Sequence, residues 1–300
     1  MNAFPPFEPD VPPKRRRRLI FRNKKVPVRF LIPNFFTLLG LSAGLTAIRM
    51  AIESRFDLAI ALIVIAALLD GLDGRVARLL KGTSRFGAEL DSLADFVNFG
   101  VAPAILIFTW GLGDLKSLGW IAVLIYAICA SLRLARFNAA LDEERPNWQT
   151  AYFTGVPAPA AAIIVLLPIY LNELGLTFIH AHSLLVMVYT TCIAVLMVSA
   201  IPTFSGKLTG ERVARDFVLP VFVVSVLAVI LLATYPYKTL TVVTLGYLAM
   251  IPYSIYRFTK RQKQDDMETV AAADGSAVSK LARDGSSASG EDAHNKKAAE

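Results

Sequence analysis

The sequence predicts an all-α fold, a polytopic membrane helix bundle of about eight transmembrane helices with both termini in the cytoplasm. Three observations predict it. The 300 residues are 55% hydrophobic with a mean hydropathy of +0.51, well beyond the composition of an ordinary soluble domain. Eight apolar segments reach spanning length, approximately 28–50, 56–80, 86–112, 118–139, 156–172, 184–204, 217–235 and 239–256. The cations are also lopsided. If the amino terminus is inside, 23 of the 31 Lys and Arg fall on inner segments, four (Arg49, Arg55, Lys116 and Lys238) fall outside, and the rest lie far out in the tail. That asymmetry orients a membrane protein.

Taken in order, residues 1–27 form a basic cytoplasmic segment. It reads KRRRRLIFRNKK after a proline-rich start and has neither the apolar run nor the small-residue cleavage site of a signal peptide. Next to a span, such a cluster anchors the chain to anionic lipid at roughly 1 kcal/mol per basic residue near the surface. The first span carries IPNFFT at its inner end, where Asn34 and Thr37, three apart, share a helix face. The second and third spans form a hairpin described below. The fourth ends in SLRLARFNA, with Arg133 and Arg136 at its cytoplasmic end. GVPAPAAA opens the fifth and IPTFSGK, ending at Lys207, closes the sixth, while the last two spans add length without a motif. The transmembrane domain covers 28–257. The remainder, 258–300, is expected to be a disordered cytoplasmic tail, because from Gln262 onward it has no Phe, Trp or Tyr to bury.

The stretch from Asp70 to Asp95, DGLDGRVARLLKGTSRFGAELDSLAD, sets four aspartates between two apolar runs. Carboxylates there are expensive and mark function. At about 100° per residue, Asp73, Ala77, Asp70, Gly74 and Arg78 fall within an arc of roughly 140° on one helix. Gly87, Asp91, Asp95 and Asn98 fall within roughly 80° on the next. Gly82, Thr83 and Ser84 make a tight turn with an N-cap hydroxyl between them, so the two carboxylate faces can meet. Four carboxylates that close repel one another unless cations separate them. Hard divalent ions with oxygen ligands are the expected occupants, and Mg²⁺ also takes substrate phosphate oxygens. Gly74 and Gly87 remove bulk on those faces, and Arg78 supplies a charge suited to phosphate.

Other features carry less. The net charge of +7 is spent on topology, so no nucleic-acid partner is expected. Cys129 and Cys192 lie in apolar segments without metal-ligand spacing. His180 and His182 fall in an outer loop, on the wrong side from the hairpin, and are not expected to ligate.

The pattern D-x2-D-G-x2-A-R-x8-G-x3-D-x3-D is met by Asp70, Asp73, Gly74, Ala77, Arg78, Gly87, Asp91 and Asp95. It resembles the signature of the CDP-alcohol phosphotransferases, integral membrane enzymes that join a CDP-activated group to an alcohol. DSLADFVNFGVAPA, RLARFNA, GVPAPAAA and IPTFSGK further resemble the bacterial branch that makes phosphatidylserine, over roughly Ile32 to Lys207. The resemblance implies transfer of the phosphatidyl group from CDP-diacylglycerol to L-serine with release of CMP, Mg²⁺ or Mn²⁺ as cofactor, and a homodimer in the bacterial inner (plasma) membrane with its site facing the cytoplasm. Asp70, Asp73, Asp91 and Asp95 would form the metal cluster, with Asp95 also the general base on the serine hydroxyl. Asn34, Thr37, Gly74, Arg78 and Gly87 would meet the nucleotide and its phosphates. Asn98, Arg133 and Lys207 would receive the acceptor.

Two rivals stand beside this reading. Glycerol 3-phosphate or inositol phosphate as acceptor would need a more basic pocket, which Arg133, Arg136 and Lys207 can supply. A cation transporter would need carboxylates in the outer half of the membrane too, where the spans offer only Asp57 at the rim.

Overall fold

The computed structural model describes residues 28–80, 84–140, 152–204, 215–262 and 264. Helix α1 (Val28–Ile52) turns through Glu53 to Arg55 into α2 (Phe56–Leu79). At the seam between them Gly40 faces Leu69 and the Ala66 carbonyl, and Ala47, Ala51, Ala59 and Ala66 are at most 1% exposed. Side chains this small let two apolar helices lie close along their whole length, which in lipid is what holds helices together.

Helix α3 (Arg85–Asp95) starts at Ser84, whose Oγ accepts from the Gly87 amide at 3.0 Å, the N-cap expected from the turn. The rod then continues to Leu115 with two wide π turns, Phe96–Val101 and Phe108–Leu112, on either side of α4 (Ala102–Ile107). Pro103 cannot donate to the carbonyl four residues back, that of Phe99. Tyr126 Oη donates to it instead, at 3.0 Å.

Tyr126 belongs to α5 (Ser117–Ala139), which runs antiparallel to this rod. Its register is set at three levels. A Cβ on Gly119 would overlap the Leu112 carbonyl, a Cβ on Gly100 would lie 3.2 Å from Ala130, and Asn138 Nδ2 donates to Ser92 Oγ at 2.8 Å. The same register places Arg133 opposite Val97, half a turn from Asp95.

A short ribbon follows, β1 (Tyr152–Thr154) antiparallel to β2 (Pro202–Phe204), with Phe153 opposite Thr203. Gly155 leaves the ribbon at φ +76°, where a side chain is strained, and a Cβ would overlap the Met197 carbonyl. Helix α6 (Ala158–Val165) breaks at Leu166 into α7 (Leu167–Glu173). Here Pro168 frees the Ile164 carbonyl, and Tyr189 Oη takes it at 2.6 Å. Short α8 (Phe178–Ala181) leads to α9 (Ser183–Val198), and α10 (Arg215–Thr234) and α11 (Pro236–Gln262) are the last helices among the described residues. The core lies among α4, α5, α6, α7 and α9, around Leu106, Tyr126, Leu166, Tyr170 and Met197.

The all-α membrane bundle is present, with the ribbon as an addition that sequence periodicity did not announce. Among the described residues, four helices are long and apolar enough to cross a membrane: Leu31–Ile52, Arg85–Leu115, Ser117–Ala139 and Pro236–Gln262. The charges of α2 remove it from that set, and the fifth and sixth segments, Ala158–Glu173 and Ser183–Val198, are shorter apolar helices, the sixth giving way to β2. Helix α11 runs past the expected boundary at 257. Residues 1–27 and 265–300 lie outside the described residues, as does Lys207.

Candidate active site: carboxylates between α2 and α3

Asp70 on α2 and Asp91 and Asp95 on α3 each bring one carboxylate oxygen to within 4.8 Å of the others. Their four-residue spacing puts Asp91 and Asp95 on one face of α3, and the Ser84 cap sets where that helix begins. Helix α2 packs on α1 and scarcely approaches α3 through its backbone, so the carboxylates face one another across a gap. Gly71 and Gly74 border open space. The only ion pair among the described residues is Arg49 with Glu53, at the far end of α1, so no lysine or arginine there neutralises the cluster. Two unit charges 4 Å apart repel by about 4 kcal/mol at an effective dielectric near 20. The Asp91 Oδ1 oxygen is moreover enclosed without a hydrogen-bond donor. An all-oxygen donor set with an orphaned oxygen and no protein counter-charge fits a hard divalent cation.

Asp73, expected as a fourth member, is 5% exposed and is not one of the three that converge. Its Oδ2 accepts from Thr37 Oγ1 on α1 at 2.9 Å. Thr37 also lies 3.2 Å from the Pro33 carbonyl, so its hydroxyl, assigned from the sequence to the nucleotide, is engaged within the protein. Asn34 sits one turn nearer the helix start, against α3. A Cβ on Gly87 would lie 2.9 Å from Asn34 Oδ1 and 3.1 Å from Ser84 Oγ, so Gly87 seats the asparagine and the cap together. Arg78 is exposed, its Nε donating to the Gly74 carbonyl at 3.0 Å.

Asn98, counted onto the Asp91 face, lies in the first π turn. The residue is 2% exposed, and its amide fits against α1, where a Cβ on Gly44 would overlap it. Its Oδ1 has no partner.

Arg133 is 6% exposed and is the only buried cation among the described residues. Its Nε donates to the Val156 carbonyl at 3.2 Å and its guanidinium carbon stands 5.5 Å from the Phe137 ring centroid, but no carboxylate pairs with it. Arg136 instead holds the end of α9 through Nη1 to the Val198 carbonyl at 2.7 Å, a favourable place for a cation. His180 Nε2 lies 3.0 Å from the Trp110 carbonyl.

Sequence reasoning passed over Thr203 and Tyr247. Thr203 Oγ1 donates to the Gly155 carbonyl at 2.7 Å beside Val156. Tyr247 was legible as part of a recurrence of hydroxyl residues on the last helix, at Thr241, Thr244, Tyr247 and Ser254.

A family model described as CDP-alcohol phosphatidyltransferase matches residues 30–201, and a second, described as CDP-alcohol phosphatidyltransferase 2, matches residues 216–252. The chain is 41% identical over 239 residues to a CDP-diacylglycerol--serine O-phosphatidyltransferase of Mycobacterium leprae, covering 78% of each chain. A protein of the same name from Mycobacterium bovis is 39% identical over 75% of this chain and 78% of its own. One from Helicobacter pylori is 38% identical over 57% of this chain and 71% of its own.

Proposed function

The chain belongs to the CDP-alcohol phosphatidyltransferase family, and from that premise we propose that it moves the phosphatidyl group of CDP-diacylglycerol onto the hydroxyl of L-serine, giving phosphatidylserine and CMP. The observation that carries this reading is the convergence of Asp70, Asp91 and Asp95; Arg133, buried on α5, supports it.

The carboxylates would hold a divalent cation, Mg²⁺ or Mn²⁺, through Asp70 and Asp91 with Asp73 beside them and Asp95 at the deep end. When bound, it supplies Lewis acidity to the diphosphate and offsets charge on departing CMP. The residues do the rest. Open space at Gly74 leaves room for the diphosphate, and Arg78 and Asn34 flank the mouth on the nucleotide side, at Gly87. Serine's hydroxyl oxygen forms the new bond to the phosphatidyl phosphorus as the bond to the CMP oxygen breaks. Its proton passes to Asp95. Arg133 offers a planar fork to the serine carboxylate. Asn98 belongs to this region through its packing on α1, and Lys207 is a further cation for the acceptor.

Among the described residues Arg133 is the one buried cation, and a planar fork of single charge suits a carboxylate. Arg136, the other arginine of that helix end, is tied to Val198. We place the cluster toward the cytoplasm of the bacterial inner membrane, with both termini on that side, eight membrane segments and a homodimeric assembly. The cation asymmetry and the family support these finer points. Purified protein in detergent, given CDP-diacylglycerol and Mg²⁺ or Mn²⁺, tests the reaction. CMP release should follow serine and not glycerol 3-phosphate or inositol phosphate. Release driven by either phosphorylated alcohol in preference to serine would overturn the acceptor.

A further inference from the structure

One face of α1 touches both walls of the carboxylate gap. Asn34, Thr37, Gly40 and Gly44 fall within an arc of about 120° on that helix. Nearest the helix start, Asn34 lies against Gly87 and the Ser84 cap of α3, and Thr37 donates to Asp73 of α2. Farther along, three elements converge on the two glycines. A Cβ on Gly40 would lie 3.5 Å from Asn98 Nδ2 of the first π turn, 3.7 Å from Leu69 Cβ and 3.9 Å from the Ala66 carbonyl of α2. One on Gly44 would overlap Asn98 Oδ1 and lie 3.2 Å from the Asn98 Cα. The Asn98 amide, 2% exposed and with its Oδ1 unpartnered, therefore fills a notch that a residue without a side chain leaves open at position 44. Leu69 adjoins Asp70 in the chain, and Asn98 comes three residues after Asp95. The notch is thus where the two walls of the gap come together, one step beyond the carboxylates they carry.

Oxygen ligands stand about 2.0–2.1 Å from Mg²⁺ in near-ideal octahedra, and such a constellation has to be held to within about 0.5 Å. The spacing of Asp70 from Asp91 and Asp95 is only as exact as the seating of their two helices on α1. A flat amide fits between α1 and the rod where a branched side chain would push them apart, even though its Oδ1 goes without a donor. We propose that Asn98 is a positioning residue for the carboxylate cluster: seated against Gly40 and Gly44, it sets the distance at which Asp91 and Asp95 face Asp70. This rests on the reading of those carboxylates as a cation site, and it gives Asn98 the spacing of the cluster as its task in place of contact with the acceptor.

Titration of chelator-stripped, full-length protein in detergent with Mn²⁺, read as bound metal by electron paramagnetic resonance, tests this without turnover. Gly44→Ala drives a methyl group into the amide and should raise the Mn²⁺ midpoint at least about tenfold. Gly40→Ala, one turn away on the same face, meets only ordinary contacts and should move it less than about twofold. Asn98→Ala empties the notch and should raise the midpoint at least about threefold, with the KM for serine at saturating Mn²⁺ unchanged. Joined to Gly44→Ala it makes room for the new methyl group, so the double variant should bind Mn²⁺ more tightly than Gly44→Ala alone. A wild-type midpoint in folded Gly44→Ala, equal shifts from the two glycine variants, or a double variant no better than Gly44→Ala would overturn the proposal. So would Asn98→Ala with a wild-type midpoint and a raised KM for serine, the mark of an acceptor contact. Should Gly44→Ala not fold, a double variant that folds, together with the raised midpoint of Asn98→Ala, supports the proposal, and a double variant that also fails to fold overturns it. Wild-type protein that binds no Mn²⁺ would instead overturn the cation reading itself.

Discussion

Asp95 ends α3 and Arg133 lies on α5, and each can be altered by a single functional group. Asp95→Asn removes a proton acceptor and almost no volume. Turnover should fall by about 10² to 10⁴, the usual contribution of a general base, while CDP-diacylglycerol binding, followed by equilibrium binding of the labelled lipid, is retained. Near-normal turnover would take Asp95 out of that role. Arg133→Lys keeps the charge and loses the fork, so the KM for serine should rise at least about tenfold, or roughly 1.4 kcal/mol, with the KM for CDP-diacylglycerol unmoved. If both moved or neither did, Arg133 would be a phosphate partner or an anchor. The identity of these residues was legible because carboxylates and arginines are conspicuous in apolar sequence. Their partners were not. The Thr37 to Asp73 hydrogen bond joins residues 36 apart, and only the rotation of α1 against α2 decides that Asp73 turns toward threonine while Asp70 turns toward α3.

Among the elements, the helices that position the site are bent or widened where proline removes a donor, and tyrosine hydroxyls from neighbouring helices accept the consequence. Tyr126 serves the Phe99 carbonyl opposite Pro103, and Tyr189 serves the Ile164 carbonyl opposite Pro168. Without water in the surrounding hydrocarbon such carbonyls must be met within the protein. Tyr126→Phe should therefore destabilise the protein by about 1–3 kcal/mol, seen as a lowered thermal midpoint in detergent, with the KM for serine in the surviving folded fraction unchanged. An unaltered midpoint would show that the Phe99 carbonyl is satisfied otherwise. Hydropathy located the rod from Arg85 to Leu115 within a few residues. It could not show the π turns, since winding depends on which carbonyls lose their donors and which side chains lie across the seam. Asn98, in the first π turn, lies with its amide against Gly40 and Gly44 of α1. The β1–β2 ribbon was equally hidden, its strands of three residues each pairing across 48 positions or more.

At the scale of the molecule, a bundle whose helices meet through small residues opens one gap, between α2 and α3, and gathers its carboxylates there. The amount of charge in that gap was plain from the sequence. That α2 and α3 stay apart, each leaning on α1, was not, because it depends on which seams carry glycine and alanine in three dimensions. The account turns on what neutralises the gap. The most direct measurement is a titration of chelator-stripped protein with Mn²⁺, following bound metal by electron paramagnetic resonance and CMP release on the same samples, for the wild-type protein and Asp91→Asn. Stripped wild-type protein should be inactive and recover in step with metal bound, and Asp91→Asn should need at least about tenfold more metal for both. Full serine-dependent CMP release from stripped protein, or identical metal midpoints for the two proteins, would contradict the claim that these aspartates work by holding a cation.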